Sequence, residues 1–212
     1  MHLFSMKKLT VISLLILAIV ATSFCFCNNH EPNTPIKHPV ANNKVLLARL
    51  KTKATAIKKF AEQNNYNTST CFLVDMSLPS GKNRFFHYDL RKDSIIISGL
   101  MAHGNCNSAY LEKAKFSNTP DCSCSSLGKY AIGYKYKGKF GDAYKLYGLD
   151  SSNSNAFKRF IVLHGYSDVP DKESTEPICN SLGCPMVSHH FFSELDKQII
   201  NAKKPILLWM FE

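Results

Sequence analysis

A chain of 212 residues with 45% hydrophobic and 20% charged residues can bury a core and is too apolar for overall disorder. Its formal net charge of +10 is spread along the sequence, with a concentration over 44–59. No recognition motif accompanies those lysines, so a nucleic-acid partner is not expected; solubility and attraction to anionic envelope surfaces are.

The first 23 residues read as a targeting signal. Lys7 and Lys8 form a basic start, and Leu9 to Val20 is an apolar run shorter than the roughly 20 residues a spanning helix needs. Ala21-Thr22-Ser23 offers small residues for cleavage, while Cys25 and Cys27 suggest a lipoprotein acceptor, although bulky Phe24 and Phe26 precede them. Cleavage, lipidation and an uncleaved membrane anchor stay open. All three place the protein outside the cytoplasm, in the periplasm or associated with the cell envelope. Residues 24–43, with Pro32, Pro35 and Pro39, read as a linker.

From 44 to 212 the pattern predicts a single domain. Leu46, Leu50, Ala54, Ile57 and Ala61 recur at helical spacing over 44–63, with Asn42 or Asn43 to cap the start and Asn64-Asn65 to stop it. Strand-like runs follow: "CFLVDM" (71–76), "RFFHYDL" (84–90), "SIIISGL" (94–100), "GKYAIGYKYKG" (128–138), "AYKLYGL" (143–149) and "RFIVLHG" (159–165). In the fourth, alternation puts Tyr130, Ile132, Tyr134 and Tyr136 on one face. Helical spacing returns over 188–202 through Phe192, Leu195 and Ile199, and "PILLWMF" (205–211) closes the chain as a strand. The expected class is mainly β with flanking helices.

Six cysteines belong to the domain: Cys71, Cys106, Cys122, Cys124, Cys179 and Cys184. Export permits disulfides, but spacing does not fix their pairing; Cys122 and Cys124 are too close to bridge each other comfortably. If one cysteine stays reduced for catalysis, five remain, so another is also free, Cys106 or Cys122 being the expected one.

The chain has no G-x-S-x-G elbow, H-E-x-x-H helix, P-loop, or S-x-x-K with a K-T-G partner. What remains is "ICNSLGCPMVSHHFF" (178–192) with His164 upstream. Gly183 lets the chain turn tightly before Cys184 and lets a backbone N–H point at an oxyanion. His164, at a strand end, is placed to act as base toward a cysteine nucleophile. Two other readings stay open on spacing alone. One is a Cys179–Cys184 disulfide in a non-catalytic envelope-binding domain. The other is a metal site from Cys179, Cys184, His189 and His190, whose spacing matches no standard zinc pattern.

"FIVLHG" followed by "SLGCPMVS" resembles the signature of the murein L,D-transpeptidase catalytic-domain family (YkuD-like). "VDMSLPSGKNRFFHYDL", "MAHG" (101–104), "FSNTPDCSCSSLGKYAIG" (116–133) and "KLYGLDSSNSNAFKRFIVLHG" resemble further blocks of that family, in order, over about 70–211. The resemblance implies an L,D-transpeptidase-like β-sandwich or barrel and a substrate among peptidoglycan stem peptides. Cys184 would attack the carbonyl between an L- and a D-centre to give a thioester, with His164 moving the proton. Backbone N–H groups near Gly183 and Cys184 would hold the oxyanion, Ser181 would support them, and His103 would line the cleft. No cofactor and no metal is expected. The widespread branch carries a histidine before the motif glycine and an arginine two residues after the cysteine. Here Leu182 and Met186 stand there, which marks a divergent branch. Arg159 is the expected substitute cation if it faces the cleft. Transpeptidase, carboxypeptidase and amidase outcomes share one acyl-enzyme, and no residue separates them.

Overall fold

The computed structural model describes residues 44–212. The expected signal (1–23) and linker (24–43), with the capping asparagines, lie outside the described residues.

Helix α1 (Lys44–Gln63) buries the stripe that its spacing predicts: Leu46, Leu50, Ala54, Ile57 and Ala61. It stops where Asn65 turns left-handed, at φ 61°, while the Tyr66 N–H donates to the Ala61 carbonyl at 3.0 Å. That is the six-to-one bond of a Schellman ending, a conformation asparagine tolerates better than most residues. Each fully buried leucine or isoleucine here contributes about 1.5–3 kcal/mol.

The strands are β1 (Thr70–Asp75), β2 (Phe85–Asp89), β3 (Ser94–Gly99), β4 (Gly128–Gly138), β5 (Gly141–Gly148), β6 (Val162–Gly165), β7 (Met186–Val187) and β8 (Leu207–Phe211), with helix α2 (His189–Ile200) before the last. All eight join one mixed sheet in the order β3-β2-β1-β8-β4-β5-β6-β7. The β1–β8 and β6–β7 pairs are parallel and the rest antiparallel. Among the described residues, then, the fold is mainly β with two helices, as expected.

Strand residues alternate between the two faces. Leu73, Phe86 and Leu207 pack with α1. Phe72, Phe85 and Leu208 face the other way, into a core completed by Phe191, Phe192 and Leu195 of α2. Covering both faces explains why β1, β2 and β8 read as nearly continuous apolar runs. The chain leaving β3 bridges to β7 at Ala102–Met186, so the two ends of the strand order approach each other and the sheet curls toward a barrel.

Three local features differ from the sequence reading. A register shift between Ile132 and Lys135 puts one extra residue into β4. Beyond this bulge the faces exchange, so Tyr130 and Ile132 are buried while Tyr134 is 55% exposed. Strand β6 begins only at Val162, because a 3₁₀ turn (Ser151–Asn153) and the turns after it carry the chain through Phe160, which is left-handed at φ 58°. Arg159 therefore lies in a turn and not on the strand leading to His164. The two-residue strand β7 was too short to read from periodicity. Ser188 caps α2, its Oγ accepting from the Phe191 N–H at 3.1 Å, so His189 and His190 are exposed residues of the first turn.

Candidate active site

Cys184 follows a glycine whose geometry is demanded. Gly183 has φ 111°, and a Cβ there would meet the Cys124 carbonyl oxygen at 2.9 Å and Ile161 Cδ1 at 3.1 Å. Any side chain would both strain the backbone and push on backbone that cannot yield. The turn is held from two sides. Ser181 Oγ accepts from the Gly183 N–H at 3.1 Å, and Ser125 Oγ donates to the Gly183 carbonyl at 3.3 Å while accepting from the Gly104 N–H at 3.0 Å. Ser125 thus ties together three blocks distant in sequence: 101–104, 122–126 and 181–184.

Ser181 Oγ thus holds the turn that carries Cys184, and it engages the Gly183 N–H, one of the expected oxyanion donors. The Cys184 N–H is the other motif donor to consider.

His164 lies on β6, opposite Ala143 of β5 and Met186 of β7. Its own N–H donates to the Pro185 carbonyl at 3.5 Å, so His164 and the residues just after Cys184 share one ladder. Nδ1 lies 2.9 Å from the Gly165 carbonyl. A carbonyl only accepts, so Nδ1 carries the proton and Nε2 keeps its lone pair. Burial lowers the His164 pKa; the Gly165 bond raises it and nearby His189 lowers it. The imidazole is therefore neutral at neutral pH. Phe140, at the tip of the β4–β5 hairpin, stacks on it with centroids 5.3 Å apart and planes at 12°.

Cys184 is part-buried, and its thiol reaches the Phe160 carbonyl at 3.8 Å. Burial raises its pKa, opposed by the Val162 N–H at the sulfur and by the charges of Arg159 and Lys145. The resting pair is accordingly a thiol and a neutral imidazole. A pre-formed thiolate, which a base or cation beside the cysteine can favour, is not the resting form here.

Of the two cysteines expected to be spare, Cys122 is free and Cys106 is not. Cys106 is bridged to Cys124, while Cys71, Cys122, Cys179 and Cys184 are free. Cys106 is thus not the spare thiol, and no Cys179–Cys184 bridge forms: Cys179 Sγ reaches the Asp168 carbonyl at 3.6 Å instead. Among the described residues no group of three or more His, Cys, Asp or Glu side chains is gathered where it could hold a metal ion, so the set Cys179, Cys184, His189 and His190 does not converge.

His103 does not line the cleft. It is fully buried, with Nδ1 accepting from the Arg84 guanidinium at 2.8 Å and Nε2 donating to the Leu111 carbonyl at 3.0 Å. Burial, then the Arg84 charge, lowers its pKa to about 4. Its main chain is what serves the site, since the His103 carbonyl accepts from the Ser181 N–H at 2.8 Å.

Arg159 is likewise committed. One terminal nitrogen donates to the Ser117 carbonyl and Ser126 Oγ, the other to the Cys124 carbonyl and Cys122 Sγ. It staples the 117–126 loop and acts on Cys184 only through its charge.

Sequence reasoning missed Tyr136, Phe140 and Lys145. The β4 bulge turns Tyr136 onto the face of Ala143 and His164, and Lys145 lies on that face opposite Val162. Nothing in the local pattern announces a bulge; only the run of glycines and tyrosines in β4 hinted that the alternation would break.

A family model for the L,D-transpeptidase catalytic domain matches residues 41–209. Among solved structures, the chain is similar to the L,D-transpeptidase from Xylanimonas cellulosilytica, with 13% identity and a TM-score of 0.39, covering 72% of this chain and 68% of that one. It is also similar to the helical cell shape determining protein Pgp2 from Campylobacter jejuni, with 13% identity and a TM-score of 0.44, covering 77% of this chain and 56% of that one. The chain thus spans little more than half of the Campylobacter protein. No curated protein matches. The match over most of the described residues decides the family: the chain belongs to the L,D-transpeptidase catalytic-domain family.

Proposed function

We propose that this protein is an exported cysteine acyltransferase that acts on peptidoglycan stem peptides through a thioester at Cys184. The observation that carries the reading is the placement of Cys184 on the fixed Gly183 turn, beside a strand whose His164 is neutral with Nε2 unprotonated. Membership of the family supplies the reaction class.

In this mechanism the thiol proton passes to His164 Nε2 as the sulfur attacks the carbonyl between an L- and a D-centre. The C–N bond then breaks, the leaving amine takes the proton back from the imidazole, and a thioester remains. An acceptor amine or water, deprotonated by His164, resolves it. With a neutral thiol–imidazole pair the base works during attack, so turnover needs His164 deprotonated. Its lowered pKa keeps that form available below pH 6.5, the ordinary histidine value.

The reading places the protein in the periplasm or cell envelope, delivered by the signal-like residues 1–23, with stem peptides as partner and anchoring through the N-terminus. Among the described residues no helix is long and apolar enough to cross a membrane. The test is turnover of purified muropeptides by wild type, Cys184→Ala and Cys184→Ser. Both variants keep the wild-type circular dichroism and lose turnover; a Cys184→Ala protein that still converts muropeptides removes the assignment.

A further inference from the structure

We propose that Lys145 is the anion-recognition residue of the Cys184 site, holding the free carboxylate of the acyl donor beside the sulfur. The inference rests on Cys184 being the nucleophile and adds the charge selectivity of its substrate.

The placement comes from strand register. Lys145 lies opposite Val162 on β6, and its ammonium lies over the ring of Phe160, whose carbonyl the Cys184 thiol reaches at 3.8 Å. The lysine is half-buried, and its Nζ sits among three rings: 4.7 Å from the centroid of Tyr136, 5.2 Å from Phe160 and 5.8 Å from Phe157. Ring faces attract an ammonium and displace water from it, yet they do not neutralise its charge.

Three lysines of β4 are neutralised, whereas Lys139 at the hairpin tip is exposed over the Phe140 ring. Lys129 pairs with Asp150 at 2.7 Å, Lys135 with Asp196 at 2.8 Å and Lys137 with Asp142 at 2.6 Å. Among the described residues no carboxylate pairs with Lys145. An ammonium partly stripped of water, fixed by rings and lacking a counter-ion, favours an anion in the space beside it.

The other candidate cations fail. Arg159 spends both terminal nitrogens on the 117–126 loop. Two residues beyond the nucleophile stands Met186, buried at 5% exposure. In a stem peptide cleaved ahead of a terminal D-residue, the α-carboxylate lies only two bonds beyond the leaving nitrogen. A cation close to the sulfur meets that group, so Lys145 selects donors that end in a free carboxylate.

The test uses two nearly isosteric reagents that differ in charge. Iodoacetate and iodoacetamide both alkylate the thiolate, so the ratio of their rates at Cys184 cancels the thiolate fraction and is blind to changes in the cysteine pKa. Rates are read by peptide mass at Cys184 for wild type, Lys145→Gln, Lys145→Arg and Lys59→Gln, the last removing an exposed charge on α1. The iodoacetate-to-iodoacetamide ratio falls about three- to tenfold in Lys145→Gln, is kept in Lys145→Arg and is unchanged in Lys59→Gln. An equal ratio in wild type and Lys145→Gln, or the same fall in Lys59→Gln, overturns the inference. Muropeptide turnover is scored separately: a falling ratio without turnover sinks the transpeptidase reading and leaves the anion site standing, and turnover with an unmoved ratio does the reverse.

Discussion

His164 faces Met186 across the parallel β6–β7 pair while its main-chain N–H bonds the Pro185 carbonyl, so the base is registered against the two residues that follow Cys184. The backbone of His164 is therefore tied to the segment that carries Cys184. The side-chain environment of His164 is set separately, by the stacked ring of Phe140 on the hairpin tip.

That ring is a lever on the base. Phe140 is 46% exposed, so Phe140→Ala costs little core packing, but it returns water to the imidazole. The burial that lowers the His164 pKa weakens, and its titration moves up toward 6.5. An NMR titration of the His164 ring reads this directly, and the acid limb of turnover shifts up with it. An unmoved titration means that Phe140 does not control the base.

Gly183→Ala tests the turn. The substitution places a Cβ on the Cys124 carbonyl at φ 111° and costs about 1–3 kcal/mol of stability. Because the turn carries the sulfur, the iodoacetamide rate at Cys184 also changes at a temperature where the variant is folded. A variant with wild-type Tm and wild-type thiol reactivity shows that the turn does not need glycine.

Buried histidines make the fold sensitive to acid, His87 and His103 most strongly and His164 in the same direction. His87 and His103 both have pKa values lowered to about 4, chiefly by burial, so the unfolded chain binds more protons than the folded one as pH falls below 6.5. Stability is complete above pH 6.5 and falls between about 6.5 and 4, by about 1.4 kcal/mol per pH unit for each histidine within that window. Urea unfolding at pH 6.5, 5.5 and 4.5 measures the slope, and His103→Gln reduces it by roughly a third to a half. A slope unaffected by His103→Gln contradicts the buried, neutral state of that ring.

Much of this fold could be read from local pattern, because α1 and the central strands carry uninterrupted periodicity. Leu50 and Ile57 announce a helix face, and "LLWMF" announces a strand buried on both sides. The candidate pair Cys184 and His164 came from the resemblance of the blocks around them to a family signature, since spacing alone left a disulfide and a metal site open. What escaped depended on distance or on a single inserted residue. The Cys106–Cys124 bridge joins loops whose meeting is arranged by Ser125, and no spacing rule contains that. The β4 bulge exchanged the faces of Tyr134 and Tyr136 and so concealed Lys145. Phe160 looked like the start of a strand, yet as a left-handed residue it ends the preceding turn, where the Ile161 N–H donates to the Ala156 carbonyl at 2.9 Å.

Acylation of Cys184 is the step on which the proposed function stands. A carbapenem tests it most directly, because attack on its strained lactam breaks the C–N bond and leaves the whole molecule attached as a thioester. The measurement is intact mass followed by peptide mapping of the native protein, with iodoacetamide labelling run in parallel. One adduct per chain is expected, at Cys184, absent from Cys184→Ala and absent from the free thiols Cys122 and Cys179. Ready labelling of Cys184 by iodoacetamide with no carbapenem adduct would contradict it: the thiol would be reactive, and the pocket around it would not be that of a transpeptidase.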